Sequence, residues 1–312
     1  MRIRIDLVLK KIEFDEEKGI IKGELTPDPR RYEWKVINGE EFLYDKLDNL
    51  CYPREVLDKA FKDIIELPIY YQRPEVDNVE QYVKSRLPLI DERMRGRAEP
   101  FAFQDKSEEF LESLAENKLG FVIMCIDMIR STNLSLSLEL EKYAKLIEVL
   151  LFEMSEIVSR YHGHVLKYTG DGLIAYFPEP SFISKNDLAL DCALAVRRLL
   201  YNALNPVLKK YGCPNIHIRI GLESGDAYVV SIGSPSTKRH KDIIGAVVNL
   251  ACKIQSLGNA GDVLLGETTY RNLHITRKLN CEEHTLPDNW IYLNENREPY
   301  KVYRVKFIDS II

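Results

Sequence analysis

Apolar positions change their period along this chain, and the change divides it. Up to about residue 105 they form short alternating runs, Ile3-Arg-Ile-Asp-Leu-Val-Leu9, Gly19-Ile-Ile-Lys-Gly-Glu-Leu25 and Tyr32-Glu-Trp-Lys-Val-Ile37, set apart by turn-forming residues. Period-two alternation predicts half-buried strands. Helices are predicted near 54–65 and 76–94, and Gly96-Arg-Ala-Glu-Pro100 reads as a linker. Residues 1–105 thus make an N-terminal region, β-rich and partly helical, in which we recognise no chemistry. Its default role is regulatory or dimer-supporting.

From residue 106 to 312 the pattern is that of a second domain. Ser107–Lys118 predicts a short helix that leads into a strand over 120–127. Between Leu138 and Tyr161, apolar residues recur at 140, 143, 144, 147, 150, 151, 154, 158 and 161, the one-sided stripe of a helix. Hairpin strands follow over 164–169 and 172–177, then a helix over about 186–209. A further pair of strands, 215–223 and 227–232, is expected to turn around Ser224-Gly225-Asp226. This order, β-α-β-β-α-β, is the ferredoxin-like arrangement of an α+β fold, with its helices on one face of an antiparallel sheet.

The composition narrows the class. With 312 residues, 45% of them apolar and 10% aromatic, the chain can fill about two cores. The net charge of −5 is interspersed along the sequence, so no basic field points to nucleic acid or an anionic membrane. Phe121–Ile126, the longest apolar run, is far too short to insert in a bilayer, and Met-Arg-Ile-Arg-Ile-Asp at the start lacks a signal-peptide core. We therefore expect a cytoplasmic protein. Its six cysteines (51, 125, 192, 213, 252 and 281) show no C-x-x-C pairing, and reduced thiols without a structural zinc are the simplest account.

Two aspartates stand out against this background. Asp127 ends the apolar run Gly120-Phe-Val-Ile-Met-Cys-Ile, and Asp171 sits in the hairpin Lys167-Tyr-Thr-Gly-Asp171-Gly. One aspartate at a strand end commonly caps the next helix. Two carboxylates in such apolar settings point instead to a metal ion between them, because unpaired buried charge is expensive. His162 and His164 have no acidic or cysteine partner nearby, and we read them as packing or exposed residues. Asn38-Gly39-Glu40-Glu41-Phe42 differs by one residue from the Gly-Gly-Glu-Glu-Phe signature of diguanylate cyclases. The 37 residues before it hold no strand with a metal aspartate, so it reads as an Asn-Gly turn followed by a solvated acidic pair.

Together with Asp242-Ile-Ile-Gly-Ala-Val-Val-Asn249-Leu-Ala-Cys-Lys253, these motifs make residues 118–307 resemble the class III nucleotidyl cyclases. The spacing of 44 residues between Asp127 and Asp171 is that of the family's metal aspartates, and several separated motifs agree in order. The resemblance implies the ferredoxin-like core, extended by the helix that bears Asn249 and by C-terminal strands, for which Gly261–Leu265 and Tyr300–Phe307 are candidates. It implies that ATP is cyclised to 3′,5′-cyclic AMP when the ribose 3′ hydroxyl attacks the α-phosphorus and pyrophosphate leaves. Two Mg²⁺ or Mn²⁺ ions per site would be held by Asp127, Met128 and Asp171.

The remaining assignments also follow from the resemblance. Lys167 and Asp242 fall at the adenine-selecting positions, Asn249 at the ribose-orienting asparagine, and Lys253 where the family has an arginine that stabilises the α-phosphate. Lysine keeps the charge and loses the planar fork, which implies slower turnover. Ser131 and Thr132 open the helix after Asp127 and are read both as its caps and as triphosphate ligands. Arg297, just before Glu298-Pro-Tyr-Lys-Val-Tyr303, is the nearest counterpart of a lysine that touches the β- and γ-phosphates. The Asp-x-x-x-Ser-Thr loop resembles divergent members, among them pyrimidine cyclases of anti-phage signalling. Lys167 and Asp242 match adenine, whereas the oxygen at C6 of guanine would repel Asp242. The alternatives are a cyclase for another triphosphate, whether a pyrimidine or a guanylate cyclase, and a catalytically silent nucleotide-binding regulatory module. In the family the metal residues and the base- and ribose-binding residues of one site come from opposite subunits, so a homodimer with two equivalent sites is implied.

Overall fold

The computed structural model describes residues 5–15, 20–65, 74–97, 106–114, 116–178, 185–234, 236–237 and 239–307. Contacts divide the chain into two units. The first comprises Met1–Tyr70 with Leu273–Leu279, and the second Tyr71–Asn272 with Asn280–Ile312.

In the first unit β1 (Leu7–Asp15) pairs with β2 (Ile20–Pro27), and β3 (Tyr32–Ile37), β4 (Glu40–Asp45) and β5 (Leu50–Pro53) form an antiparallel meander before α1 (Arg54–Ile65). Asn38 and Gly39 both take positive φ, 53° and 86°, with Ile37 opposite Glu40. That is a two-residue hairpin loop whose handedness matches strand twist. The pentapeptide at 38–42 is therefore a turn, and Glu41 is used in an ion pair with Arg54. A buried charge cluster closes the unit: Arg31, fully buried, donates to Asp6 (3.1 Å), Asp45 (2.7 Å) and Asp48 (2.9 Å).

The second unit begins earlier than the change in texture at 105 predicts. In α2 (Val79–Met94), which Asn78 caps by accepting from the Gln81 amide, Arg86 makes a bidentate pair with the buried Glu153 at 2.7 and 2.8 Å. Glu153 lies in α5 (Leu140–Arg160), so the helix packs into this unit. Of the expected linker at 96–100, residues 98–100 lie outside the described residues.

After α3 (Lys106–Ser113) the chain runs through β6 (Lys118–Met128), α4 (Ser131–Ser137), α5, β7 (His164–Tyr168), β8 (Leu173–Phe177) and α6 (Lys185–Leu199). A π turn over Leu200–Leu204 joins α6 to α7 (Asn205–Lys210), with the amide of Asn205 reaching back to the carbonyl of Leu200. Then come β9 (Ile218–Gly233), β10 (Arg239–Ile244), α8 (Ala246–Ser256), β11 (Val263–Gly266), α9 (Glu267–Asn272), α10 (Ile275–Lys278, grouped with the first unit), β12 (Cys281–Glu283) and β13 (Val302–Val305).

The sheet order is β12-β13-β11-β9-β6-β8-β7, with β10 also paired to β9. Strands β9, β6, β8 and β7 stand in the antiparallel ferredoxin order, and β11, β12 and β13 extend it. Phe121 to Ile126 are buried on both faces of the central strand. Ser224, on the same face as Val122, bonds Asn186 of α6, whereas Phe121, Ile123 and Cys125 pack with Val247 and Ala251 of α8. The ferredoxin helices therefore cover one face, and α8 covers the other.

One expectation is corrected. Ser224-Gly225-Asp226 makes no turn, because β9 is a single strand of 16 residues that pairs with β6 through this stretch. Glycine here serves the approach of α8. A Cβ on Gly225 would stand 3.2 Å from Val247, and one on Gly221 would stand 2.4 Å from the Gln255 nitrogen.

Candidate active site

The metal-type carboxylates meet where β6 and the β7–β8 hairpin end together. Pairing of the two strands stops at Ile126 opposite Leu173, and the amide of Thr169 bonds the Gly172 carbonyl at 2.9 Å to close the loop that carries Asp171. A Cβ on Gly172 would lie 2.1 Å from the Ile126 carbonyl oxygen and 3.1 Å from the Asp127 Cα. Only glycine lets the hairpin tip press against the strand end, and this contact puts Asp171 beside Asp127. Asp171 is half-buried, and Tyr143 of α5 lies in its field: burial first, and that carboxylate second, push the Tyr143 hydroxyl up.

Asp127 is already held. Directly across the β6–β9 ladder, Arg219 donates to its Oδ2 from Nη2 at 2.9 Å and from Nε at 3.2 Å, and Gln255 of α8 adds a contact at 3.3 Å. Arg219 Nη1 also donates to the Ser256 carbonyl at 3.0 Å, which ties the strand to the end of α8. Sequence reasoning missed both partners. The signal was a charged residue between the buried Ile218 and Ile220.

A second cluster lies between β7 and β10. Lys167 Nζ and Asp242 Oδ2 pair at 2.6 Å, and the other Asp242 oxygen accepts from the Ile243 amide at 2.8 Å. Asp242 is buried, while the Lys167 side chain is 42% exposed. Asn249 and Lys253 lie one turn apart on α8, both exposed.

Other predicted residues sit differently. Ser131 and Thr132 do not cap α4. Arg130 takes the N-cap position at φ 60° with no side-chain cap bond, and the two hydroxyl residues fill the first helical turn. The side chain of Met128 is buried in the core, so only its backbone can serve the site. Arg297 stands exposed at φ 64° in the turn before Glu298. His162 lies in a turn at φ 58°, just before the strand that opens with His164. His164 stacks on Phe110 at 4.3 Å and on Tyr176 at 5.1 Å, and burial pushes its imidazole down to about 4.

The donor set suits hard cations. The Gly172 contact brings the two carboxylates to one end of the sheet, and among the described residues no cluster of three or more His, Cys, Asp or Glu offers a softer or fuller cage.

Residues 115–303 match the family described as the adenylate and guanylate cyclase catalytic domain. The chain belongs to this family. A cytidylate cyclase from Escherichia coli is 25% identical over 203 residues, which are 59% of this chain and 43% of that protein. An adenylate cyclase from Anabaena cylindrica is 25% identical over 207 residues, 64% of this chain and 39% of that one. The chain thus spans less than half the length of these relatives. The crystal structure of the adenylyl cyclase CyaB from P. aeruginosa superposes with a TM-score of 0.53 at 26% identity, covering 63% of this chain and 98% of that one. The guanylyl cyclase Cya2 shares the fold, with a TM-score of 0.53 at 20% identity over 62% of this chain and 96% of that one. Among the described residues no helix is long and apolar enough to cross a membrane.

Proposed function

We propose that this cyclase domain turns ATP into 3′,5′-cyclic AMP and pyrophosphate, working as a homodimer. The observation that carries the base is the Lys167–Asp242 pair. Its ammonium donates to a ring nitrogen and its carboxylate accepts from an exocyclic amino group, which is the edge that adenine presents at N1 and N6. Guanine and uracil offer an oxygen where Asp242 needs a donor.

Asp127, Asp171 and the Met128 backbone would hold two Mg²⁺ or Mn²⁺ ions. Bound there, the ions lower the pKa of the 3′ hydroxyl and neutralise the leaving phosphates. The residues of the chain supply the rest. Asn249 orients the ribose so that its 3′ oxygen lines up with the α-phosphorus. Lys253 places a cation where negative charge grows on the α-phosphate, as a point charge without the two-pronged grip of arginine. Arg219 puts a second cation at the carboxylate end of β6, and the first turn of α4 with Ser131 and Thr132 offers backbone N–H groups to the triphosphate. Arg297 is a further triphosphate ligand in this reading.

One second reading has support. A relative is named a cytidylate cyclase, and cytosine sets an amino group beside a ring-nitrogen acceptor just as adenine does. The Lys167–Asp242 pair therefore separates ATP and CTP from GTP and UTP, and base size decides between the first two.

Incubating the full chain with each triphosphate and Mn²⁺ or Mg²⁺, and identifying products by mass, tests the proposal. Cyclic AMP as the main product supports it, and cyclic CMP moves the substrate to the smaller base. Preference for GTP or UTP overturns the role of the pair. No product with any triphosphate makes the domain a silent nucleotide-binding module.

A further inference from the structure

Two thiols face each other beside the carboxylate site. Cys125 of β6 is buried, two residues before Asp127, and Cys252 of α8 is half-buried between Ala251 and Lys253. Their sulfurs are 2.7 Å apart, and both cysteines are free. A disulfide needs about 2.0 Å, so closure asks for a shift of about 0.7 Å.

Backbone packing sets this approach. Across the ladder Cys125 faces Gly221, where a Cβ would stand 2.4 Å from the Gln255 nitrogen and 2.6 Å from the Ala251 carbonyl oxygen. The helix is seated directly on the strand pair at the turn that carries Cys252, which holds the two backbones close.

We propose that Cys125 and Cys252 form a reversible two-electron redox site, closed to an intramolecular disulfide by a peroxide-class oxidant. Cys252 has the solvent access and reacts first. Its thiolate attacks one peroxide oxygen, the O–O bond breaks, and a sulfenic acid forms as hydroxide leaves and is protonated to water. The sulfur of Cys125 then attacks the sulfenic sulfur, the S–S bond forms, and the sulfenic oxygen departs as a second water with the Cys125 proton. In total, two thiols and one hydrogen peroxide give one disulfide and two waters. A dithiol reverses the change by exchange. The bond joins residues 127 positions apart and ties the strand that ends at Asp127 to the helix that carries Asn249 and Lys253.

The test uses the native full chain. After brief hydrogen peroxide treatment, remaining thiols are alkylated under denaturing, non-reducing conditions and the protein is weighed and digested. The expected result is a protein two hydrogens lighter, four of its six cysteines alkylated, and a linked peptide pair containing Cys125 and Cys252 that dithiothreitol separates. In Cys125→Ala the link should vanish, with dimedone trapping a sulfenic acid on Cys252. Full alkylation of both cysteines after peroxide in the wild-type chain overturns the proposal, as does a link from Cys252 to any other cysteine. Both readings come from wild-type protein and hold even where the variant fails to fold.

Discussion

Arg219 lies directly across the β6–β9 ladder from Asp127 and holds its carboxylate with two nitrogens, at 2.9 and 3.2 Å. A carboxylate so held keeps its orientation at the strand end. Replacing Asp127 or Asp171 by alanine should therefore remove a cation ligand and leave the fold in place, since both side chains are partly exposed. Cyclic-nucleotide formation in Mn²⁺ is expected to fall at least about a hundredfold in either variant, with an unchanged far-UV circular dichroism spectrum. Wild-type protein should be inactive in chelator. Turnover by either variant within tenfold of wild type removes these residues from the cation site.

Glu223 gives the pH dependence. It is fully buried on β9, accepts from the Tyr300 hydroxyl at 2.6 Å, and its other oxygen lies without a hydrogen-bond partner against Gly266, where even a Cβ would clash. Burial pushes its carboxyl up to about 8. The folded state thus keeps a proton that the unfolded chain releases near the ordinary glutamate value. The associated stability is fully present below that value and is lost as pH rises through about 8. Glu223→Gln should cut this loss by on the order of 3 kcal/mol between pH 5 and pH 8.5 in urea denaturation. Parallel stability curves for the two proteins would show that Glu223 ionises freely in the fold.

Much of the site was legible because its chemistry is written in short spacings. Asp127 closes an unbroken apolar run, Lys167 precedes Asp171 by four, and Asn249 precedes Lys253 by four. What escaped depends on contacts between distant segments. Arg219 matters through a partner 92 residues away, and α2 joins the cyclase unit through an Arg86–Glu153 pair 67 residues apart. Local propensity also misled at Ser224-Gly225-Asp226, three turn-forming residues in the middle of a strand. There the glycine makes room for α8, and Ser224 is used in a buried bond to Asn186. The contact of Gly172 with the β6 end explains a glycine that spacing alone marks only as part of a turn.

The homodimer is tested by complementation. In the proposed homodimer, Asp127→Ala and Asn249→Ala each disable a different half of a shared site. A mixed dimer then holds one site with both defects and one with neither. Mixing equal amounts of the two inactive variants is expected to restore about a quarter of wild-type activity once subunits exchange. No recovery, with exchange verified by differently tagged chains, would mean that each site is built within one chain.

The base assignment carries the sharpest expectation, because Lys167 and Asp242 already satisfy each other at 2.6 Å. A base must insert a matching donor and acceptor into this pair or leave a buried carboxylate facing an oxygen. Exchanging Lys167→Glu together with Asp242→Cys reverses the pattern: the new carboxylate accepts from guanine N1 and N2, and the thiol offers a weak donor toward the oxygen at C6. A hydrogen bond to a charged group is worth about 1.5–3 kcal/mol, so the ratio of kcat/KM for ATP over GTP should drop by about ten- to a hundredfold in the double variant. Adenine and cytosine present the same donor beside an acceptor, so the ratio of ATP to CTP should move far less than the ratio of ATP to GTP. An unaltered ATP-to-GTP ratio would place base selection elsewhere in the fold, and Lys167 and Asp242 would then be an ion pair that braces β10 against β7.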